Sequence, residues 1–249
     1  MRTKSNVIMF LMSCFCMALS LFALTGLLST RAEAAEYKYR IYSNTLYADN
    51  FNNDSKKYDK SSKTEVLEYS YRLPIIDGDS KAVNTVNDFL FDLRDKFMDD
   101  KDKLAKAAND VYKDSKLSDA YDINGKWFVK YINDDYVSLK YVYKDKIGSD
   151  VDYRVDTYTF SLKSGKRLYA DDFLSGSRTS IINSVIDAYR DVKNKKYKKY
   201  SFYDDNELFL KESRISDLPF YYNGNGITLD YSPKTLAPYA AGEIIFNIK

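Results

Sequence analysis

Carboxylates are the side chains of this sequence best placed to do chemistry, because histidine is absent and cysteine nearly so. Losing His removes the commonest general base and the commonest zinc ligand. The two Cys are Cys14 and Cys16, so nothing beyond them can supply a thiol nucleophile, a thiolate metal site or a disulfide. Adjacent acids occur at Asp134-Asp135, Asp171-Asp172 and Asp204-Asp205. Two carboxylates opposed across a cleft are what glycoside hydrolysis needs, one as proton donor and one as nucleophile or base. These three pairs fall where turns and helix starts are expected, however. There a carboxylate accepts bonds from free N–H groups and complements the helix dipole. Capping is the reading their positions favour.

Other candidates are weaker. Asp77-Gly78-Asp79, and Asp49 with Asn52 and Asp54, lack the spacing and closing Glu of a calcium loop. Gly176-Ser177 lacks the flanks of a nucleophile elbow and has no His to activate it. No motif asks for a metal or any other cofactor. Five lysines lie in residues 193–199, where they could meet an anionic polymer or complement a helix C-terminus; the helix-end reading is favoured. The 24 Tyr could stack on sugars, but Tyr is also a good strand residue that half-buries well. Residues 236–242 stand apart. Pro238 stiffens this loop of small residues, Gly242 permits an unusual backbone angle, and Tyr239 is its one large ring. Tyr239 either presents itself for recognition or folds inward and plugs the end of a sheet.

The elements that would position these residues follow from the hydrophobic pattern. The section from Lys126 to Leu168 alternates as three strands. Trp127, Val129 and Tyr131 share one face of the first. Val137, Leu139, Tyr141 and Tyr143 share one face of the second. Tyr158, Phe160 and Leu162 share one face of the third, with Tyr153 at its start. Asn133-Asp134-Asp135 and Ser164-Gly165 supply turns. This predicts an antiparallel meander with one face on a core. Residues 64–73 read as a strand stopped by Pro74, and residues 36–48 as a looser one. Residues 49–62 read as a linker. Ser80 is a candidate N-cap for a helix with Val83, Val86, Leu90, Leu93 and Phe97 on one face. Its pattern weakens after Asp99 and resumes through Leu104, Ala107, Ala108 and Val111, so one helix or two fit. A second helix is expected over residues 177–192 with Ile181, Val185, Ala188 and Val192 inward, and a short one over 204–211. Strands over 218–222 and 227–231 flank Asn223-Gly224-Asn225-Gly226, a strong hairpin signal. A last strand is expected over 243–249. The class is α+β, an antiparallel sheet of meander plus C-terminal strands packed against two main helices.

The N-terminus reads as a targeting segment. Arg2 and Lys4 precede the uncharged apolar run 7–28, and Ala32-Glu33-Ala34 offers small residues where a signal peptidase cuts. Cleavage after Ala34 is the favoured reading. A membrane anchor through 7–28 is the alternative, and lipidation at Cys14 a weaker one. Without residues 1–34, which hold Arg2, Lys4, Arg31 and Glu33, basic and acidic residues balance. That gives no support to nucleic-acid binding. The expected divisions are 1–34, a strand and linker over 35–63, an N-terminal α+β part over 64–125 and a C-terminal domain over 126–249.

Several stretches together resemble the extracytoplasmic domain shared by RsiV-type anti-sigma factors and PdaC-type peptidoglycan deacetylases. They are Leu73-Pro74-Ile75-Ile76-Asp77-Gly78 with Val83 and Val86-Asn87; Tyr136-Val137-Ser138-Leu139; Tyr158-Thr159-Phe160-Ser161-Leu162-Lys163-Ser164-Gly165-Lys166-Arg167-Leu168 leading to Asp171-Asp172; and Gly226-Ile227, Tyr231-Ser232-Pro233 and Ala237-Pro238-Tyr239-Ala240-Ala241-Gly242. The resemblance covers roughly residues 64–249. It implies an α+β domain outside the bacterial cytoplasmic membrane. In the anti-sigma members such a domain binds lysozyme; in the deacetylases a separate catalytic domain follows, for which this sequence has no counterpart. One departure is Lys144-Asp145-Lys146-Ile147-Gly148-Ser149-Asp150, where the family often has Gly-Gly-Ala-His-Gly. The expectation is therefore an exported, non-catalytic binding domain of the cell envelope. Its partner would be lysozyme or peptidoglycan, and its ligand-binding residues Pro238, Tyr239, Gly242 and Tyr231. An envelope hydrolase working through paired carboxylates is the alternative.

Overall fold

The computed structural model describes residues 39–49, 65–115, 121–147 and 150–249. The chain divides into two compact units, Met1–Arg40 and Ile41–Lys249, and the second begins within strand β1 (Tyr39–Asp49). The apolar run 7–28, the cleavage site after Ala34, Cys14 and all of the expected linker 49–62 except Asp49, which ends β1, lie outside the described residues. Among the described residues no helix is long and apolar enough to cross a membrane.

Alternation around residues 126–168 produces the predicted meander. Strands β3 (Tyr121–Ile132), β4 (Tyr136–Ile147) and β5 (Asp150–Ser161) pair antiparallel, and the two-residue β6 (Arg167–Leu168) returns on β5. On its other side β3 pairs in parallel with β2 (Glu65–Ile76), giving the order β1-β2-β3-β4-β5-β6. A parallel pair needs a crossover. It is supplied by α1, one unbroken helix over Lys81–Ser115. Ser80 caps that helix, its Oγ accepting from the Val83 N–H at 3.1 Å. Val83, Val86, Leu90 and Phe97 are buried as expected. Further on the buried positions are Ala105 and Ala108, and Ala107 is exposed.

Strand β2 does not stop at Pro74; it continues to Ile76. Its ladder with β3 ends at Arg72 opposite Lys126, so the missing N–H of Pro74 costs no bond to that strand. Asn87 then takes over the strand end. Its Oδ1 accepts from the Ile76 N–H and its Nδ2 donates to the Ile76 carbonyl, both at 2.9 Å.

The first core lies between α1 and the large sheet. Trp127 is its centre, stacked on Tyr141 at 4.7 Å and donating from Nε1 to the Tyr71 hydroxyl at 2.8 Å. Tyr71 in turn meets Phe97 of α1 at 4.7 Å. Val137 and Leu139 are buried beside this cluster, and Tyr158 and Phe160 reach Phe89 of α1. One expected position moves. The register slips between Val129 and Tyr131, and this bulge turns Tyr131 to the opposite face.

The C-terminal strands form a sheet of their own instead of extending the meander. It comprises β7 (Phe220–Tyr222), β8 (Ile227–Tyr231) and β9 (Ile244–Ile248). One face packs on α2 (Arg178–Lys195) and α3 (Asn206–Glu212) around Ile182, Val185, Tyr189, Leu210, Leu229 and Phe246. Its other face lies on the large sheet, bonding to β4 and β5. The result is four layers: α1, large sheet, small sheet, then α2 with α3. The fold is α+β. The large sheet is therefore covered on both faces, and the expected division at 125/126 falls inside β3.

Candidate binding surface

The seam between the two sheets changes character along its length. At one end it is aromatic: the Tyr222 ring stacks on Phe173 at 4.6 Å and meets Tyr131 and Tyr136 edge-on. Next come hydroxyls. Ser138 Oγ and Thr159 Oγ1 lie 3.0 Å apart, and Ser138 Oγ accepts from the Tyr222 N–H at 3.1 Å. Ser232 Oγ accepts from the Val155 N–H at 2.8 Å and donates to the Val155 carbonyl at 3.2 Å. Then come charges. Lys140 Nζ lies 2.8 Å from Asp230 Oδ2 and 2.6 Å from Glu243 Oε2, while the Tyr153 hydroxyl donates to Glu243 Oε1 at 2.7 Å. Asp230 is 0% exposed. Its contact with Lys140 has ion-pair distance but lies off the line of a hydrogen bond, and neither carboxylate oxygen has another partner among the described residues.

The electrostatics follow from depth. Burial works against the Lys140 ammonium, but the carboxylates of Asp230 and Glu243 outweigh it and hold its pKa above the usual lysine value. Burial pushes the Asp230 carboxyl up, with Lys140 opposing and Glu243 adding repulsion. Burial, then Glu243, raises the Tyr153 phenol.

Beyond these charges the seam opens to solvent in two concavities that share Tyr153 and Glu243 as lining residues. The first, about 400 Å³, is also lined by Pro233, Tyr239, Gly242 and Ile245. Its lip is the expected loop. Leu236 and Ala237 are buried, and the Leu236 carbonyl accepts from Asn206 Nδ2 at 2.6 Å. A 3-10 turn over Tyr239–Ala241 follows, closed by the Ala241 N–H on the Pro238 carbonyl at 2.9 Å. Gly242 leaves it with φ 69°, a region open to glycine at little cost. Tyr197 ties down the exit: its hydroxyl donates to the Glu243 carbonyl at 2.9 Å and accepts from the Ile245 N–H at 3.3 Å. Tyr239 itself is 43% exposed, with Lys234 Nζ 5.4 Å from its ring centre. It points outward and does not plug the sheet.

Pro238, Tyr239 and Gly242 are thus together at one rim. Tyr231 is not with them. It is 3% exposed, stacked on Phe246 at 5.8 Å within the small-sheet core. It lies on the parity of β8 that faces the helices, opposite to Asp230.

The second concavity, about 420 Å³, is lined by Asn124, Lys126, Phe128 and Lys130 of β3, Lys140, Val142 and Lys144 of β4, and Tyr153 and Glu243. Sequence reasoning missed it. Its signal was the other parity of the same two strands, where every charged residue from Lys126 to Lys130 and from Lys140 to Lys144 is a lysine.

The adjacent acids sit at turns and helix starts, and of them Asp172 makes a capping bond. Asp172 Oδ2 accepts from the Tyr169 N–H at 2.7 Å, and Asp135 pairs with Lys163 at 2.6 Å. Asp205 is the N-cap of α3, though its side chain makes no cap bond. The lysine run sits over rings, Lys193 at 5.5 Å from Phe202 and Lys199 at 4.9 Å from Tyr200. Among the described residues no group of three or more His, Cys, Asp or Glu is placed to hold a metal ion.

No protein-family profile matches the chain, and no curated protein matches it. Solved structures do share its fold. One is a member of the DUF3298 family from Bacteroides fragilis NCTC 9343, 14% identical, with TM-score 0.57 over 85% of this chain and 89% of its own. Another is a DUF3298 family protein from Pseudomonas aeruginosa PAO1, 12% identical, with TM-score 0.55 over 84% of this chain and 89% of its own. The likeness is one of fold, and the α+β class is the one that the sequence resemblance implied.

Proposed function

We propose that this protein is an exported, non-catalytic binding domain of the bacterial cell envelope that recognises lysozyme or a cell-wall glycan at the Tyr239 turn. The observation that carries the reading is the setting of Tyr239: a half-exposed ring on a pinned turn, at the lip of a cleft of about 400 Å³. Exposed aromatics on rigid supports are the residues that dominate binding energy. The sequence resemblance and the N-terminal targeting pattern of Arg2, Lys4 and the apolar run 7–28 support placing the domain outside the membrane.

The test is saturable binding of the purified protein to lysozyme and, in parallel, to isolated peptidoglycan. Tyr239→Ala is expected to weaken the interaction by about 2 kcal/mol, roughly thirty-fold in Kd, without unfolding the domain. Binding to neither target, or equal affinity with and without the ring, would overturn the assignment. The hydrolase alternative has less behind it. The adjacent acids sit at turns and helix starts, and the carboxylates that do meet, Asp230 and Glu243, are tied to Lys140 with Asp230 closed off from solvent. Turnover of peptidoglycan fragments, abolished by Glu243→Gln, would restore it.

A further inference from the structure

We propose that the lysine-lined groove where the seam opens to solvent, on the small-sheet side of β3 and β4, binds an anionic chain polymer linked by phosphodiesters. This goes beyond the function above and uses a different surface from the Tyr239 turn.

Charge makes the first argument. Lys126, Lys130, Lys140 and Lys144 line the groove against one carboxylate, Glu243. That carboxylate is already committed to Lys140 and Tyr153, and Lys140 is further matched by Asp230. The groove's cations left for a ligand are therefore the other three. Among the described residues neither Lys126 nor Lys144 has a carboxylate at ion-pair distance, and Lys130 rests 5.1 Å from the Tyr221 ring, which leaves its charge intact. In a chain whose formal net charge is only +2, this is a local excess of one sign.

Spacing makes the second. On one face of a strand, alternate residues stand about 7 Å apart. Lys126 lies opposite Val142, between the levels of Lys140 and Lys144. The cations thus spread over more than one anion's width, and a repeating polyanion satisfies them where a single small anion does not. Phe128, 43% exposed, Val142 and Tyr153 give the groove an apolar floor against which the uncharged part of each repeat can lie.

Donor chemistry makes the third. No arginine lines the groove, so the bidentate fork that grips carboxylates and phosphates alike is missing, and recognition falls to rotatable ammoniums. Lysine ammoniums act as point charges, which suits the singly charged, tetrahedral phosphodiester. The two long stretches of the chain outside the described residues have the wrong sign to fill the groove, and residues 116–120 and 148–149 carry no net charge. Residues 50–64 carry Lys56, Lys57, Lys60 and Lys63 against Asp54 and Asp59, and residues 1–38 carry Arg2, Lys4, Arg31 and Lys38 against Glu33 and Glu36.

The experiment is fluorescence anisotropy of labelled poly(glycerol phosphate) with the purified protein, run from low to physiological salt. Polyglutamate, a neutral chitin oligosaccharide and inorganic phosphate serve as competitors. Saturable binding that weakens as salt rises is expected, displaced by the unlabelled polymer and poorly by the others. The double variant Lys126→Ala with Lys144→Ala is expected to lose roughly tenfold or more in affinity, and Lys126→Arg with Lys144→Arg to keep it. The Trp127 emission spectrum reports whether each variant is folded. No saturable binding at low salt, equal displacement by polyglutamate, or unchanged affinity in the folded alanine variant overturns the proposal. Tyr239→Ala separates the two surfaces. Polymer binding that survives it, in a protein that ignores lysozyme and peptidoglycan, sinks the turn and keeps the groove. Lysozyme or peptidoglycan binding lost with Tyr239, in a protein that ignores the polymer, does the reverse.

Discussion

Asp230 is the residue whose surroundings ask most of it. It is fully buried in β8, and its ion-pair partner, Lys140, is shared with Glu243. Its folded-state pKa is raised by burial above the ordinary carboxylate value. The native state therefore binds this proton more tightly than the unfolded chain does. Its contribution to stability is full below the unfolded pKa and is lost as pH rises through the folded one. Acidification from neutrality should thus strengthen the fold at this group, whereas Asp230→Asn has no proton to exchange. In urea unfolding between about pH 7 and about pH 4, the stability gap between wild type and Asp230→Asn is expected to move in favour of wild type as pH falls. A gap that stays constant over that range would mean the carboxyl titrates alike in both states. Little of this was visible in the sequence. Asp230 and Glu243 are separated along the chain, and Lys140 is far from both. Their meeting depends on how one sheet stacks on another, which no local pattern encodes. Tyr239 was easier to find, because a single ring among small residues is a local signal.

Strand β3 shows how an element depends on one small residue. Gly125 is buried in mid-strand, and a Cβ built there would stand 2.7 Å from Tyr71 Cδ2 and 2.8 Å from the Tyr141 hydroxyl. The Tyr71–Trp127–Tyr141 cluster fills the space that a side chain would need. Gly125→Ala is expected to cost about 1–3 kcal/mol by overpacking, read as a lower urea midpoint with unchanged slope. A wild-type midpoint would show that the rings can move aside. The strands themselves were legible because alternation is local and covers the whole meander. The bulge before Tyr131 was not, since the same residues alternate equally well without it; only the pairing with β4 reveals the slip. Pro74 misled for a related reason. Proline ends a strand only where its N–H is needed, and the ladder with β3 stops at Arg72. The parallel step from β2 to β3 was equally hidden, because a strand's sequence does not state the direction of its neighbour.

At the scale of the molecule, each sheet keeps its apolar core on the side facing its own helices, and the side chains between the sheets are aromatic at one end, then hydroxyl, then charged. The α+β class followed from the element types, but the split into two sheets did not. Two cores joined by a polar seam should open separately. Native-state hydrogen exchange in rising urea is expected to resolve two cooperative groups of amides, one in β3–β5 and one in β8, β9 and α2. A single common isotherm would instead show that the seam couples them fully. The layers are also contiguous along the chain: α1 and β2–β6 end at Leu168, and α2, α3 and β7–β9 all come later. During synthesis, then, the first half can close while the second is still unmade. Until that second half arrives, the face bearing Ser138, Lys140, Thr157 and Thr159 stands in water. Beyond its aromatic end at Tyr131 and Tyr136 that face is hydroxylated and charged, so most of it stays solvated and waits, where a wholly greasy one would invite the wrong neighbour.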